Sequence, residues 1–192
     1  MDGTELTAPE PLDARAEVAA AVEGIRRLAR HVSDFPQPGV LFTDLTPVFA
    51  DGPALRSIMR ALAAPVAGRV DLVAGIDARG FLLGAGVALE LGTGVLAVRK
   101  KGKLPPPVHG EEYALEYGSA ALEVPAEAIE LAGRRVLVVD DVLATGGTLR
   151  ASVDLLERCG AIVETVAVVA EVPGLGGRER LDGVGLHCLT TV

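Results

Sequence analysis

Two neighbouring carboxylates, Asp140 and Asp141, follow the apolar run 136–139 and are followed in turn by Ala144, Thr145, Gly146, Gly147 and Thr148. Small residues and paired glycines let backbone N–H groups converge on an anion, and a helix starting there adds its partial positive charge. Thr145 and Thr148 add hydroxyl donors, so the segment reads as a cradle for a phosphate monoester. Carboxylates accept hydrogen bonds from sugar hydroxyls and stabilise nearby positive charge. Adjacent residues on an extended chain point opposite ways, so one acid can reach a ligand while its neighbour faces elsewhere. A phosphate cradle beside paired acids suits a sugar phosphate. The chain has no G-x-x-x-x-G-K-[S/T] and no strand followed by G-x-G-x-x-G, so this is neither a nucleotide P-loop nor a dinucleotide fingerprint. The competing reading is an ordinary capped strand–turn–helix, but a cap needs one polar residue, not two acids, two threonines and Gly-Gly.

Three further groups carry chemistry. Gly75-Ile76-Asp77-Ala78-Arg79-Gly80-Phe81 offers backbone amides and a guanidinium, which can grip a pyrophosphate through two hydrogen bonds. The alternative is a surface arginine in a turn. Arg99-Lys100-Lys101-Gly102-Lys103 gathers four of the chain's 18 cations in five residues, against 26 acids overall. A solvated basic face is the bland reading; a place between a strand and a long loop favours a lid over an anion. Phe35 to Phe42 presents aromatic rings and backbone groups in a loop constrained by Pro36 and Pro38, although a buried phenylalanine is itself unremarkable. Glu116 stands in a segment already rich in acids, with Glu111 and Glu112 close by.

These groups need elements to hold them. Val18, Ala21, Val22, Ile25, Leu28 and Ala29 recur at helical spacing after a capping Asp13, and a second helix is predicted over 53–65. Residues 35–51, with three prolines, read as an ordered loop or broken strand. Strands are predicted over 71–76, 95–98, 135–139, 165–170 and 186–190, with helices over 81–91 and 147–159, the latter ended by Gly160. Continuous Val/Leu/Ile runs mark strands buried on both faces. The expectation is an α/β fold, a mostly parallel central sheet flanked by helices. Residues 100–123 break this rhythm and read as a long mobile loop returning through a short strand pair. Residues 1–12 read as a flexible tail and 13–192 as one domain; 192 residues support one core.

Composition narrows the function. At 49% apolar the chain is not disordered. A net charge of −8 argues against nucleic-acid binding but permits a local cationic pocket. Cys159 and Cys188 form no C-x-x-C pair and no zinc spacing, and read as buried free thiols. No run approaches about 18 apolar residues and no leader pattern opens the chain, so no membrane role is expected.

The run 136–148 resembles the signature of type I phosphoribosyltransferases. With Phe35-Pro36-Gln37-Pro38-Gly39-Val40-Leu41-Phe42, Asp77-Ala78-Arg79-Gly80-Phe81, Arg99-Lys100-Lys101-Gly102-Lys103-Leu104-Pro105 and Leu115-Glu116-Tyr117-Gly118 in order, the chain from about 25 to 181 resembles the adenine phosphoribosyltransferases. The resemblance implies a type I phosphoribosyltransferase fold with a small N-terminal base-binding hood. It implies transfer of phosphoribosyl from phosphoribosyl pyrophosphate to adenine, giving AMP and pyrophosphate, in purine salvage. Asp140, Asp141 and residues 144–148 would take the ribose 5′-phosphate. Asp77, Ala78, Arg79, Arg99, Lys100 and Lys103 would take the pyrophosphate, with a cis peptide at Asp77–Ala78 and Lys100 or Lys101 shared across a homodimer. Val40, Leu41 and Phe42 would bind adenine, Phe42 by stacking and Leu41 by its main chain. Glu116 would exchange the proton at N7. Mg²⁺ would arrive with the donor, with no direct protein ligand, in a cytoplasmic enzyme. The family commonly carries Arg or Lys before the loop's Asp; here Thr43 precedes Asp44. Two other readings stand beside this one: a transferase for 6-oxopurines, and a non-enzymatic ligand sensor on the same fold.

Overall fold

Asp13 caps the first helix, accepting the N–H groups of Arg15 and Ala16 at 3.0 and 3.3 Å. The computed structural model describes residues 13–35, 37–39, 41–114, 119–127 and 129–192. Helix α1 (Ala14–Leu28) leads into strand β1 (Arg30–Ser33), which pairs antiparallel with β2 (Leu41–Asp44). The stretch 35–51, expected as an ordered loop or broken strand, thus holds β2 and then a single helical turn, α2 (Thr46–Phe49). Helix α3 (Gly52–Ala63) starts at Asp51, whose carboxylate accepts the Ala54 N–H, and continues into a 3₁₀ turn at Ala64–Val66.

The remaining elements alternate: β3 (Leu72–Ile76), α4 (Arg79–Leu91), β4 (Gly94–Lys100), β5 (Val108–Ala114), β6 (Ser119–Pro125), β7 (Arg135–Leu143), α5 (Gly147–Arg158), β8 (Ile162–Glu171), α6 (Gly177–Arg180) and β9 (Leu186–Thr191). Among the described residues the main sheet runs β5-β6-β4-β3-β7-β8-β9. The core strands β4, β3, β7, β8 and β9 are parallel, and the β5–β6 hairpin joins antiparallel through β4. The stretch 100–123, expected as a long loop returning through a short strand pair, holds β5 and most of β6, strands of seven residues each; Leu122 and Val124 on β6 are buried.

Successive residues of the central strands enter opposite layers, as the period of two requires. Val73, Leu137, Val139, Ala167 and Val169 pack beneath α1, α3 and α4, while Ala74, Ile76, Val136, Val138 and Val168 pack beneath α5. Burial on both faces is why these strands read as unbroken apolar runs. All the parallel strands deliver their carboxyl ends to one rim, where ligands of open α/β sheets bind.

Candidate active site

Strand β7 does not end at Val139. Its pairing with β8 continues through Asp140↔Val168, Val142↔Ala170 and Leu143↔Glu171, so both acids belong to the strand rather than to the turn after it. The turn is 144–146, and Gly146 enters α5 at φ 76, the left-handed region open to glycine. Its neighbour across the fold is α6. A Cβ on Gly146 would lie 2.8 Å from the Gly177 carbonyl, and one on Gly177 would run into the Ala144 carbonyl. Two glycines thus let distant segments touch and fix the turn. Residues 144–148 with Asp140 line a cavity of about 100 Å³. That is the space of roughly three waters at ~30 Å³ each, comparable to one phosphoryl group, at a helix N-terminus.

Beside it opens a cavity of about 590 Å³, bordered by Asp77, Ala78, Arg79, Lys100, Asp140 and Asp141, with Tyr113 and Thr148 at one side. Glycine again permits the approach: a Cβ on Gly80 would sit 2.5 Å from the Val139 carbonyl and 3.2 Å from Asp140 Oδ1. The first turn of α4 is thereby pressed against β7, and Arg79 reaches the acids. Its Nε lies 2.7 Å from Asp141 Oδ2, a carboxylate only 5% exposed as a residue. That contact is a charge contact without hydrogen-bond alignment, for Oδ2 has no properly directed donor. The Asp77–Ala78 peptide is cis. Asp77 is held by Arg99 at 3.0 Å, and the Arg99 guanidinium sits 5.3 Å over the Phe81 ring. Arg99 therefore stands behind Asp77 rather than on the cavity wall, and Lys103 borders none of these cavities. Lys100 does face the large one.

Burial pushes the Asp140 carboxyl up to about 8, reinforced by the negative charge of Asp141 and only partly offset by the Asp141 N–H it accepts at 2.9 Å and by Arg79. In the unliganded protein near neutral pH, this acid holds its proton.

A third cavity, about 400 Å³, is walled by Leu41, Phe42 and Thr43 on one side and by Val142, Val172, Leu175 and Val192 on the other, with Arg79, Asp140 and Asp141 at its floor. Phe42 meets Phe35 edge to face, centroids 5.1 Å apart. Leu41, paired with Ser33 at the end of β2, is 66% exposed at the mouth. Thr43, in the place of the family's basic residue, turns its hydroxyl to His31 Nδ1 at 3.2 Å across the β1–β2 pair. Val40 and Glu116 lie outside the described residues.

The fold thus brings Asp77, Ala78, Arg79, Lys100, Leu41, Phe42, Asp140, Asp141 and 144–148 around three neighbouring cavities, with Asp140 on the wall of each. Sequence reasoning missed Tyr113, Val142, Val172, Leu175 and Val192. Val172 and Leu175 directly follow the carboxyl end of β8, a position that the rule for parallel sheets could have flagged. Among the described residues no group of three or more His, Cys, Asp or Glu side chains is placed to hold a metal ion. No helix among them is long and apolar enough to cross a membrane.

The model of the phosphoribosyl transferase domain matches residues 49–182. An adenine phosphoribosyltransferase of Rhodococcus jostii is 60% identical over 91% of this chain and 98% of its own length. The crystal structure of an adenine phosphoribosyltransferase from Thermoanaerobacter pseudethanolicus is similar at 44% identity and a TM-score of 0.84, over 89% of this chain and 99% of that one. That of the Saccharomyces cerevisiae enzyme, complexed with an imino-altritol bisphosphate and adenine, is similar at 33% identity and TM-score 0.84, with the same coverage.

Proposed function

Because the chain belongs to the adenine phosphoribosyltransferases, within the phosphoribosyltransferase family, we propose a division of that family's reaction among its residues. The reaction is one of purine salvage: adenine displaces pyrophosphate from C1′ of phosphoribosyl pyrophosphate, giving AMP. In our reading the 100 Å³ cradle of 144–148 takes the 5′-phosphate. The 590 Å³ cavity takes ribose and pyrophosphate. The 400 Å³ cavity takes adenine between Phe42 and the apolar wall of Val172 and Leu175. The observation that carries this assignment is Asp140, which borders all three spaces, as a residue addressing C1′ and its hydroxyls must.

Asp140 and Asp141 then accept the ribose hydroxyls and, with Asp140's proton lost to solvent as the cation-carrying donor binds, favour positive charge developing at C1′. Arg79 and Lys100 hold the departing pyrophosphate. Arg99 acts one step back, keeping Asp77 and the 77–79 loop in place, while Lys103 would reach the leaving group only if the 101–107 segment moves inward. Leu41 reads the adenine edge through its main chain, together with Val40, and Glu116 exchanges the proton at N7; a positioned acid or base of this kind contributes ~10²–10⁴-fold. Two carboxylates cannot by themselves complete an ion's coordination, so Mg²⁺ fits here as an ion carried by the donor's oxygens and water, with Asp140 and Asp141 as outer partners. When bound it neutralises the pyrophosphate charge.

We further place the enzyme in the cytoplasm, where the unpaired thiols of Cys159 and Cys188 stay reduced. We also propose that residues 13–192 work as one domain and that two copies associate. Leu82 and Leu89 on α4 and Val95 beside it are 60%, 82% and 47% exposed, apolar surface that a second copy would cover.

The test is direct. Protein, Mg²⁺, phosphoribosyl pyrophosphate and each purine base are mixed and the nucleotides separated. AMP from adenine, with little product from hypoxanthine, guanine or xanthine, is expected. Preferential IMP or GMP formation would overturn the base assignment, and no nucleotide at all would overturn the enzymatic one.

A further inference from the structure

Tyr113 is the one aromatic hydroxyl among the described residues, and it stands where no sequence motif put it. The Thr148 hydroxyl donates to Tyr113 Oη at 3.3 Å. Thr148 is the second residue of α5 and borders both the cradle and the large cavity, while Tyr113 borders the large cavity beside Asp140 and Asp141. The tyrosine ring is partly buried against the core layer under α5, so its hydroxyl is presented from a supported base rather than from a free side chain.

The strand that carries it is strapped down as well. Arg158, at the last turn of α5, donates to the Gly110 carbonyl at 2.6 Å and pairs with Glu111. Lys101 reaches Glu112 at 3.3 Å from the preceding strand's end. Both ends of α5 therefore hold β5: Arg158 at its C-terminus and Thr148 at its N-terminus.

The proton count leaves this contact a hydrogen to spare. Two touching hydroxyls own two hydrogens, and their mutual bond consumes one. The other hydrogen is free to meet an acceptor where the two spaces adjoin, at Thr148. The backbone amides and Thr145 belong to the cradle itself; Tyr113 stands on the wall of the adjoining large cavity.

We propose that Tyr113 is a substrate-binding residue whose hydroxyl, oriented by Thr148, donates to the 5′-phosphoryl group and selects for phosphorylated ribose. This rests on the assignment of 144–148 to the 5′-phosphate. The test is Tyr113→Phe, which removes one oxygen and keeps the ring in its packing. Dissociation constants are measured by calorimetry for AMP, ribose 5-phosphate, adenosine and pyrophosphate, with thermal unfolding alongside. Loss of a hydrogen bond to a charged group is expected to weaken AMP and ribose 5-phosphate about tenfold. Adenosine and pyrophosphate should be unaffected. Steady-state kinetics should show KM for phosphoribosyl pyrophosphate raised and KM for adenine unchanged. With Thr148→Val added, the double variant should lose no more than the worse single one, since the hydroxyls act as a unit. Equal loss for all four ligands, or undiminished AMP binding, overturns the Tyr113 assignment alone. Failure of the unaltered protein to bind ribose 5-phosphate overturns the cradle assignment as well.

Discussion

The guanidinium of Arg79 lies 2.7 Å from the carboxylate of Asp141. A cation suited to the pyrophosphate and an acid suited to the ribose thus occupy each other before either meets a ligand. The contact is poorly aligned as a hydrogen bond, and Arg79's side chain is 48% exposed against 7% for Asp141. A donor molecule can therefore separate them by offering each a better partner.

Asp141→Asn tests this exchange. Removing one partner of a buried pair is costly when a buried charge is stranded, but here the survivor is the half-exposed guanidinium, which water can solvate. We expect a small change in Tm and a fall in kcat on the order of 10²-fold or more, the usual effect of deleting one group aimed at transition-state charge. Product inhibition adds a sharper check. Pyrophosphate should bind several-fold more tightly to Asp141→Asn, because Arg79 is released to it, while AMP binds more weakly.

The raised pKa of Asp140 makes stability depend on pH in a defined direction. In the folded protein the carboxyl keeps its proton up to about 8, because of burial and Asp141. In the unfolded chain it ionises near the ordinary aspartate value of 3.8. Between those values the native state binds more protons, so its stability falls as pH rises from about 4 to about 8. Asp140→Asn removes that slope. After allowance for solvent at the cavity mouth, the unliganded variant should gain on the order of 2 kcal/mol at pH 8, or about 4–8 °C in Tm, and much less at pH 5. Parallel Tm–pH curves for the two proteins would reject the raised pKa.

Much of this was legible in the residues themselves. Unbroken Val/Leu runs announced strands buried on both sides, and Gly92 and Gly160 ended their helices where expected. Asp140, Asp141 and the 144–148 turn carry their chemistry in their side-chain types. What stayed hidden was held by partners far along the chain. Nothing local in 139–143 shows that β8 extends the strand past the acids. Val172, Leu175 and Val192 wall the base cavity, yet apolar residues look alike in core and in pocket. Gly177 reads as a loop glycine until its contact with Ala144 and Gly146 is seen.

That hidden glycine yields a prediction far from any motif. A methyl at position 177 would collide with the Ala144 carbonyl and the Leu143 side chain. The 144–146 turn must shift, and overpacking of this kind costs ~1–3 kcal/mol. Gly177→Ala should raise KM for phosphoribosyl pyrophosphate by about tenfold while KM for adenine moves little. Equal changes in both constants would mean that the segment supports the fold generally rather than the cradle.

Phe42 offers the complementary split. It lines the base cavity and is braced edge to face by Phe35, so its ring is oriented before a ligand arrives. Stacking of a nucleic-acid base on an aromatic side chain is worth ~1–3 kcal/mol by alanine substitution. Phe42→Ala should therefore raise KM for adenine about tenfold or more and leave binding of pyrophosphate and ribose 5-phosphate unchanged. Phe42→Leu keeps the bulk but not the π face. If stacking is what Phe42 contributes, leucine should recover the thermal stability of the hood and not the affinity for adenine. Recovery of both would reduce Phe42 to an apolar filler and leave the recognition of adenine to the main chain of Leu41.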